Sequence, residues 1–243
     1  MRVTGDIIAL SPPLIAETKH LDQLTGTIAE VLTEIGVDLR EVRIVPDVKD
    51  EIVAAVNALR ARYTYVFTSG GIGPTHDDIT ADCVAKAFGV SIDVDPRARA
   101  LLLTRIAEKD LNEARLRMAR IPAGADLILN KVSAAPGFRI GNVHVMAGVP
   151  SIMQAMMDDV APRLVTGARM MSETIDAMGI PEGTYAAGLG EIARAHPNVI
   201  IGSYPQFGEG RFKNQIVVRS KDGASLQAAV QAVDALLKGF ARA

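Results

Sequence analysis

The sequence is poor in cysteine and in aromatic residues. Its 243 residues include one cysteine, no tryptophan and only 4% aromatic residues. A single cysteine excludes an internal disulfide and favours the reducing cytoplasm as the location of the chain. The scarcity of aromatic side chains argues against a surface on which nucleic-acid bases stack.

The sequence also lacks a strong charge of either sign and a long hydrophobic run. The formal net charge is −2, with Lys and Arg scattered along the chain. We therefore expect neither a nucleic acid nor an anionic membrane as a partner. No apolar run approaches the roughly 20 residues of a membrane span, and the first residues do not have the pattern of a signal peptide. Hydrophobic residues make up 49% of the chain, which is enough for a sizeable core.

One stretch, residues 63–80, combines a strand, a glycine loop and a helix start. Residues 63–67 are apolar and β-branched, which is typical of a buried strand. The following Ser-Gly-Gly-Ile-Gly-Pro segment cannot continue a regular element. A helix is predicted to begin at Asp77 or Asp78, with Asp and Thr as N-cap residues. The loop glycines allow close backbone approach to a ligand, and the helix start attracts anions such as phosphate.

Asp77 and Asp78 lie at the end of the glycine loop, beside the helix start, where their carboxylates would repel a bare phosphate. A divalent cation between carboxylate and phosphate oxygens resolves this conflict. The glycine spacing is neither that of a dinucleotide fingerprint nor that of a P-loop. A plain strand-to-helix turn with Asp caps and no ligand is equally compatible with the composition of this stretch.

The flanking chain alternates between strands and helices. Before the glycine loop, the expected elements are 4–10, 21–35, 37–45, 49–60 and 63–67. This β-α-β-α-β order predicts a parallel sheet with right-handed crossovers. Ligands of such sheets bind beyond the carboxyl ends of the strands, which is where Asp47 and residues 69–78 fall. From the sequence alone, however, Asp47 is more simply a helix N-cap.

Shorter elements follow the glycine loop. Helices are predicted over 81–88, 97–109, 112–120 and 152–165, and strands over 92–94, 126–131, 137–140 and 143–146. Asp95 is expected to cap the second of these helices and Ser151 the last. The methionines of the last helix are expected to pack in the core. Arg115, Arg117 and Arg120 form either a phosphate-facing arm or a solvated helix face, and the pattern favours the second.

The pattern changes after Gly167. The expected elements are an extended segment 169–178, a helix 182–195, strands 198–204 and 211–219, and a helix 225–240. This order predicts a small α+β subdomain over 167–243 with an antiparallel pair of strands. Residues 202–205, Gly-Ser-Tyr-Pro, are more simply a turn than a ligand loop.

The motif Ser69-Gly-Gly-Ile-Gly-Pro-Thr-His-Asp-Asp-Ile-Thr80 resembles the signature loop of the molybdenum-cofactor biosynthesis (molybdopterin-binding) domain family. The Gly-Pro-Thr-His-Asp-Asp form is that of the competence/damage-inducible protein A branch. The resemblance is good over residues 37–160 and implies a mostly parallel three-layer α/β/α fold for residues 1–166. The C-terminal subdomain resembles the region that follows in this branch and the domain fused to eukaryotic FAD synthase. We expect no counterpart of the amidohydrolase domain that longer members carry.

Three further motifs carry the resemblance. Pro46-Asp47 matches the family's Pro-Asp, whose Asp lies in the active site, and residues 133–138 resemble its Thr-Ala-Pro-Gly-Phe. Residues 146–151 resemble its Pro-Gly-Val-Pro, with Ala147 in place of the first Pro. The amino-terminal segment departs from the family pattern, so a ligand role of Asp6 or Asp22 has weak support.

The resemblance implies a metal-dependent hydrolase of nucleotide pyrophosphates such as ADP-ribose or FAD, with water as the attacking group. Asp47 and Asp78 would be catalytic, and together with Asp77 they would hold Mg²⁺ or a similar cation. His76 is either a proton donor or a residue that structures the loop. The residues expected to bind the ligand and its phosphates are Ser69, Gly70, Gly71, Gly73, Pro74, Thr75, Thr80, Ser133, Gly148 and Pro150.

Two other functions fit the same residues. One is binding of molybdopterin phosphate, or adenylyl transfer to it, in molybdenum-cofactor assembly. The other is a ligand-binding module without turnover. In each case the expected partner is a small pterin or nucleotide, and family analogy implies a homo-oligomer.

Overall fold

The computed structural model describes residues 5–10, 18–177, 179–205, 207–208 and 211–241, with side chains over 25–177, 179–205 and 213–240. The side chains of Asp6 and Asp22, for which a ligand role was considered, lie outside the described residues. The chain divides into two units, Met1–Gly167 and Ala168–Ala243. The boundary expected from the sequence falls one residue earlier, between residues 166 and 167.

The described part of the first unit contains eight strands. They are β1 (Gly5–Leu10), β2 (Asp38–Ile44), β3 (Tyr65–Ser69), β4 (Ile92–Val94), β5 (Arg120–Pro122), β6 (Asp126–Ile128), β7 (Gly137–Ile140) and β8 (Val143–Met146). Six of them form one sheet in the order β2-β1-β3-β8-β7-β6. The first four strands in that order pair in parallel and the last two are antiparallel, so the sheet is mixed and mostly parallel. Strands β4 and β5 form a separate antiparallel ribbon.

Helices cover both faces of this sheet. They are α1 (Thr18–Glu34), α2 (Lys49–Arg62), α3 (Thr80–Phe88), α4 (Pro96–Leu103), α5 (Glu113–Arg117) and α6 (Pro150–Val160). The neighbouring residues Val66 and Phe67 of β3 point to opposite faces, because side chains alternate along a strand. Val66 packs in a core with α2 and α3, and Phe67 in a core with α1 and α6. The fold is therefore the expected three-layer α/β/α arrangement.

Several helix boundaries differ from the sequence expectations. Helix α3 begins at Thr80 with Ile79 at the N-cap position, so neither Asp77 nor Asp78 caps it. Likewise Val48 is the N-cap residue of α2 and Val149 that of α6, so Asp47 and Ser151 do not cap these helices. Asp95, in contrast, caps α4 through its carboxylate, as predicted.

Three predicted helices end earlier than expected. The helix predicted over 152–165 ends at Val160 and is followed by a short 3-10 helix, Ala161–Arg163. The segment 97–109 is helical only to Leu103 and continues as a short 3-10 helix, Glu108–Asp110. The segment 112–120 is helical only over α5, because Arg120 pairs with Val94 in the ribbon of β4 and β5.

The single cysteine, Cys83, lies on α3 with no exposed surface, in the core shared with α2. Burial in apolar surroundings disfavours the charged thiolate and raises the pKa of this thiol to about 11. Cys83 is thus a packing residue, in agreement with the expectation from the sequence.

The second unit is a three-stranded antiparallel sheet packed against two helices. Its elements are β9 (Met171–Asp176), α7 (Glu182–Ala195), β10 (Val199–Tyr204), β11 (Phe207–Gly208), β12 (Arg211–Phe212), β13 (Gln215–Ser220) and α8 (Gly223–Ala241). The sheet order is β10-β13-β9, so the segment expected only to be extended is a full member of the sheet. Residues 202–204 belong to β10, and the prediction of a turn there is wrong. In the described part of both units, no helix is long and apolar enough to span a membrane.

Candidate functional site

The parallel strands of the first sheet end at one edge. Leu10 pairs with both Ile44 and Ser69, and Ser69 pairs with Met146, so the last residues of four strands lie side by side. The loops that follow β2, β3 and β8 therefore leave the sheet at the same place. Asp47 is in the first of these loops, the glycine motif forms the second, and Gly148 is in the third.

A cavity of about 390 Å³ lies among these loops. It brings together most of the residues that the sequence singled out. These are Asp47, Gly70, Gly71, Gly73, Pro74, Thr75, Asp77, Asp78, Ser133 and Gly148. Residues from three strand ends and from the segment before β7 thus share one concave surface, as expected for a ligand site in an α/β sheet.

Three predicted ligand residues, Ser69, Thr80 and Pro150, do not line this cavity. The buried Ser69 hydroxyl donates a hydrogen bond to the Ala147 carbonyl at 3.1 Å and so joins β3 to the loop after β8. The Thr80 hydroxyl is buried without a hydrogen-bond partner in the described structure. Pro150 is the first residue of α6.

Close backbone packing explains two of the glycines. Gly71 has a φ of +69°, and a Cβ atom at this residue would lie 2.0 Å from the Thr80 hydroxyl oxygen. A Cβ atom at Gly148 would lie 3.1 Å from the Cα atom of Gly70, so the loops after β3 and β8 approach each other closely. Side chains at these positions would force the loops apart and change the shape of the cavity.

Hydrogen bonds fix Asp78 within the loop. Its carboxylate accepts a hydrogen bond from the Thr75 backbone N–H at 2.9 Å and another from the Thr75 hydroxyl. The Arg117 guanidinium donates to the Asp78 carbonyl at 3.1 Å. The carboxylate therefore folds back onto the turn and does not cap α3. The imidazole of His76 is fully exposed and does not line the cavity.

The polar side of the cavity is negatively charged. The Thr75 side chain and the residue's own backbone N–H hold the pKa of Asp77 below its usual range. Asp77, Asp78 and Asp47 all line the cavity, whereas no Lys or Arg does so among the described residues. An anionic ligand would need a cation or backbone N–H groups to offset this charge.

The opposite side of the cavity is apolar, and sequence reasoning missed it. Its residues come from α4 and the turn after it, from the segment between α5 and β5, from the loop before β7, and from α6. They are Leu102, Ile106, Met118, Ala135, Pro136, Ile152 and Met156. In the sequence, Leu102 and Ile106 are four residues apart, as are Ile152 and Met156. This spacing is equally typical of helix residues that pack in a core, so it did not identify the cavity. Met156 both lines the cavity and packs in the core, where its side chain is buried.

Two of the three arginines expected on one helix face bind residues next to the glycine loop and on α3. Arg115 donates to the Asp110 carbonyl at 2.7 Å. Arg120 makes two hydrogen bonds, 2.8 and 2.7 Å long, to the carboxylate of Asp82 on α3. Arg117, bound to the Asp78 carbonyl, and Arg120 thus connect the segment around α5 to the start of α3, which neither predicted arrangement included, whereas Arg115 is exposed, as the prediction of a solvated face has it.

The acidic residues of the cavity do not form a compact cluster. Within the part of the chain that the structure describes, no three His, Cys, Asp or Glu side chains are grouped closely enough to bind a metal ion. Asp47, Asp77 and Asp78 line one cavity without forming such a group.

The first unit is an α/β domain with a cavity at the carboxyl edge of a mostly parallel sheet. Residues 3–166 match the family described as "Probable molybdopterin binding domain", and residues 169–241 match "FAD synthase, middle domain". The chain therefore belongs to the molybdopterin-binding domain family, in its CinA-like branch.

Individual relatives agree with this assignment. A CinA-like protein of Desulfosudis oleivorans is 33% identical over 217 residues, which are 84% of this chain but only 52% of that protein. A protein of Aeropyrum pernix is 33% identical over 222 residues, covering 85% of this chain and 81% of that protein. The crystal structure of the protein CinA with unknown function from Thermoplasma acidophilum aligns with a TM-score of 0.59 and 29% identity. That alignment covers 67% of this chain and 98% of the Thermoplasma chain.

Proposed function

We propose that the chain binds a nucleotide containing a pyrophosphate group, of the ADP-ribose or FAD type, and hydrolyses it with the help of a divalent cation. The observation that carries this proposal is the polar side of the cavity, where three carboxylates and a glycine loop meet and no Lys or Arg of the described residues contributes. The family match to a molybdopterin-binding domain and to the FAD synthase middle domain supports a phosphate-bearing, nucleotide-related ligand.

The glycine loop supplies donors for a phosphate group. In the described structure, the backbone N–H groups of Gly71, Ile72 and Gly73 have no acceptor within the chain. All three residues line the cavity. Phosphate oxygens accept readily from such consecutive backbone N–H groups, so the loop would hold one phosphate of the ligand.

The acidic residues fit a cation that is shared with the ligand. Mg²⁺ is commonly bound by one or two carboxylates together with substrate phosphates and water, rather than by a cage of protein ligands. Asp47, Asp77 and Asp78 offer such a donor set. The cation, when bound, would neutralise phosphate charge that builds up during the reaction.

The remaining residues position the ligand. The Asp78 carboxylate has its direction set by Thr75, so little reorganisation would be needed when the ligand arrives. The apolar side, including Leu102, Ile106 and Met156, would cover a planar ring and exclude water from it. Rate enhancement would come from positioning and electrostatics, as in phosphoryl transfer generally.

A second candidate function is binding of molybdopterin phosphate without turnover. The observation in its favour is that the described side chains form no group able to hold a metal ion by themselves. The fully exposed His76 imidazole also provides no proton donor inside the cavity. The same loop would then hold the pterin phosphate.

The test is incubation of the full chain with ADP-ribose, FAD or ATP, with Mg²⁺ or Co²⁺ and then with excess chelator, while AMP release is measured. We expect AMP from ADP-ribose or FAD only when the metal is present. Absence of AMP under every condition would contradict the hydrolase proposal. A molybdopterin-induced rise in the thermal unfolding midpoint would then support the second candidate.

A further inference from the structure

A small cavity of about 10 Å³ adjoins the candidate site along the glycine loop. Five residues line both this small cavity and the larger one of the candidate site. They are Ile72, Gly73, Asp78, Met118 and Pro136. Asp78, which is assigned to catalysis in the proposed function, therefore borders both spaces.

The small cavity is lined by four charged side chains, two acids and two arginines. They are Asp78, Asp82, Arg117 and Arg120. Arg120 and Asp82 satisfy each other, because both oxygens of the Asp82 carboxylate accept a hydrogen bond from the Arg120 guanidinium. Arg117 and Asp78 are thus the two charged residues with polar atoms left for a further partner in this space.

Arg117, the last residue of α5, has a buried donor without an acceptor. Its Nη2 atom donates to the Asp78 carbonyl at 3.1 Å, whereas its Nε atom is buried and has no hydrogen-bond partner in the described structure. Nε and Nη2 belong to one rigid, planar group, so an acceptor for Nε lies close to the Asp78 carbonyl. Buried donors in folded proteins are nearly always satisfied by protein atoms or by an ordered water, because an unsatisfied one costs free energy.

The hydrogen bond from Arg117 ties Asp78 to a distant segment of the chain. The other hydrogen bonds of Asp78 in the described structure all involve Thr75, whose carbonyl accepts from the Asp78 backbone N–H at 3.2 Å. Thr75 is exposed and belongs to the same turn, so these bonds fix the shape of the turn alone. The Oδ2 atom of Asp78 accepts both bonds from Thr75, and Oδ1 accepts none within the described residues.

We propose that Arg117 is a positioning residue for Asp78 and acts on it through two contacts. One is the hydrogen bond to the Asp78 carbonyl. The other is a single water molecule in the small cavity, which accepts a hydrogen bond from Arg117 Nε and donates one to the Asp78 carboxylate. A polar cavity of this volume has room for about one water molecule. The inference rests on the proposed function and deepens it, because it names the residue that holds the catalytic acid in place.

Arg117 acts on the reaction through Asp78 and not through the ligand. Its side chain lines the small cavity but not the larger one, so it does not offset the charge of a bound phosphate. Removal of its guanidinium should therefore slow the chemical step more than it weakens the binding of the substrate. A residue with a general role in stability would have no such preference.

Crystal structures test both contacts independently of any activity. In the wild-type chain, one ordered water should lie about 3 Å from Arg117 Nε and about 3 Å from an oxygen of the Asp78 carboxylate. In Arg117→Met, that water should be lost and the Asp78 carboxylate should leave Thr75. A wild-type map that shows other buried waters but none in the small cavity would overturn the proposal, and so would an unmoved Asp78 carboxylate in the variant.

The kinetics of AMP release from ADP-ribose with Mg²⁺ give the second readout. Arg117→Met should lower kcat about tenfold and change KM by less than about twofold. The matched control is Arg115→Met on the same helix. This substitution also removes a guanidinium that binds a backbone carbonyl, but Arg115 lines neither cavity, so kcat and KM should not change.

Arg117→Lys provides a milder variant that keeps the charge and one donor for the Asp78 carbonyl but loses the planar fork. Its kcat should fall between those of the wild type and Arg117→Met, and it takes the place of Arg117→Met if that variant does not fold. An equal loss in the Arg115 and Arg117 variants, or a loss confined to KM, would contradict a positioning role. A wild-type chain that releases no AMP but shows the water and the variant's displaced carboxylate would contradict only the proposed reaction.

Discussion

Gly73 packs closely against the carboxylate of Asp78. A Cβ atom at Gly73 would stand 2.6 Å from the Asp78 Oδ2 atom and 3.1 Å from its Cγ atom. Contacts this short do not occur in relaxed structures, so a side chain at Gly73 and the present position of the Asp78 carboxylate exclude each other. The two residues therefore form one unit, in which the glycine makes room for the acid.

The first prediction concerns the substitution Gly73→Ala. The new methyl group should displace the Asp78 carboxylate and reduce AMP release from ADP-ribose by about tenfold or more, because a small misplacement of a reacting group is costly. The control is Gly26→Ala on α1, where a Cβ atom meets nothing within 4 Å. That substitution should raise the unfolding free energy by roughly 0.5–1 kcal/mol and leave AMP release unchanged. Full activity of Gly73→Ala would show that the position of Asp78 does not matter.

The second prediction concerns the charge of Asp78. Asn at this position still offers an oxygen to the Thr75 N–H and hydroxyl, so Asp78→Asn should keep the loop and the thermal midpoint. It should lower metal-dependent AMP release about a hundredfold or more, the usual effect of removing a charged group from such a site. Asp50→Asn is the matched control, because Asp50 is 86% exposed and pairs with Lys86 at the surface. If Asp78→Asn retains wild-type activity, the assignment of Asp78 is wrong.

A third prediction addresses the ion pair between Arg120 and Asp82. Its two parallel hydrogen bonds suit the planar guanidinium and not a lysine ammonium. Arg120→Lys should therefore lower the unfolding free energy of the first unit by about 1 kcal/mol. A double-mutant cycle with Asp82→Asn, measured by urea unfolding, should give a coupling energy of about 1 kcal/mol. Additive effects of the two substitutions would contradict a direct interaction.

The fourth prediction concerns acid sensitivity. His144 on β8 is buried, and its ring stacks on that of Phe67 at a centroid distance of 5.0 Å. Burial, followed by repulsion from Arg139, lowers its pKa from 6.5 to about 4. Between pH 6.5 and pH 4, His144 is therefore mostly protonated in the unfolded chain and mostly neutral in the folded chain. Stability is thus complete above pH 6.5 and falls, by up to roughly 3 kcal/mol, as the pH approaches 4.

Urea unfolding between pH 7 and pH 4 tests this dependence. The slope of the unfolding free energy against pH should become shallower in His144→Phe, whatever the effect of the substitution at pH 7. In the control His76→Gln the slope should stay as in the wild type, because the His76 side chain is fully exposed. An unchanged slope in His144→Phe would show that other groups cause the acid sensitivity.

Much of the fold could be predicted from local patterns in the sequence. The strands β7 and β8 and the helix α7 have the predicted bounds, since glycines delimit the two strands, and Pro181 and Pro197 flank the helix. The antiparallel pairing of β4 with β5 could not be predicted, because it joins segments more than 20 residues apart that have no turn signal between them. The same pairing explains why the helix expected up to Arg120 ends at Arg117.

In the candidate site, too, local features were predictable from the sequence and long-range ones were not. The sequence motif identifies the glycines and acids, because glycine and carboxylate chemistry is local. The apolar side is assembled from segments far apart in the chain, such as Leu102 and Ile152. Their pattern is indistinguishable from that of core residues until the tertiary structure leaves a space beside them. The folding of Asp78 back onto Thr75 was also not predictable, since Asp is common at both helix caps and turns.

The burial of Cys83 makes the chain suitable for site-specific labelling. With a pKa of about 11, only about one thiol in a thousand is ionised at pH 8, and the side chain has no exposed surface. Maleimide and iodoacetamide reagents should therefore leave the native protein unmodified. A cysteine introduced at an exposed position, for example Val149 beside the cavity, would carry a fluorophore or spin label without any need to replace Cys83 first.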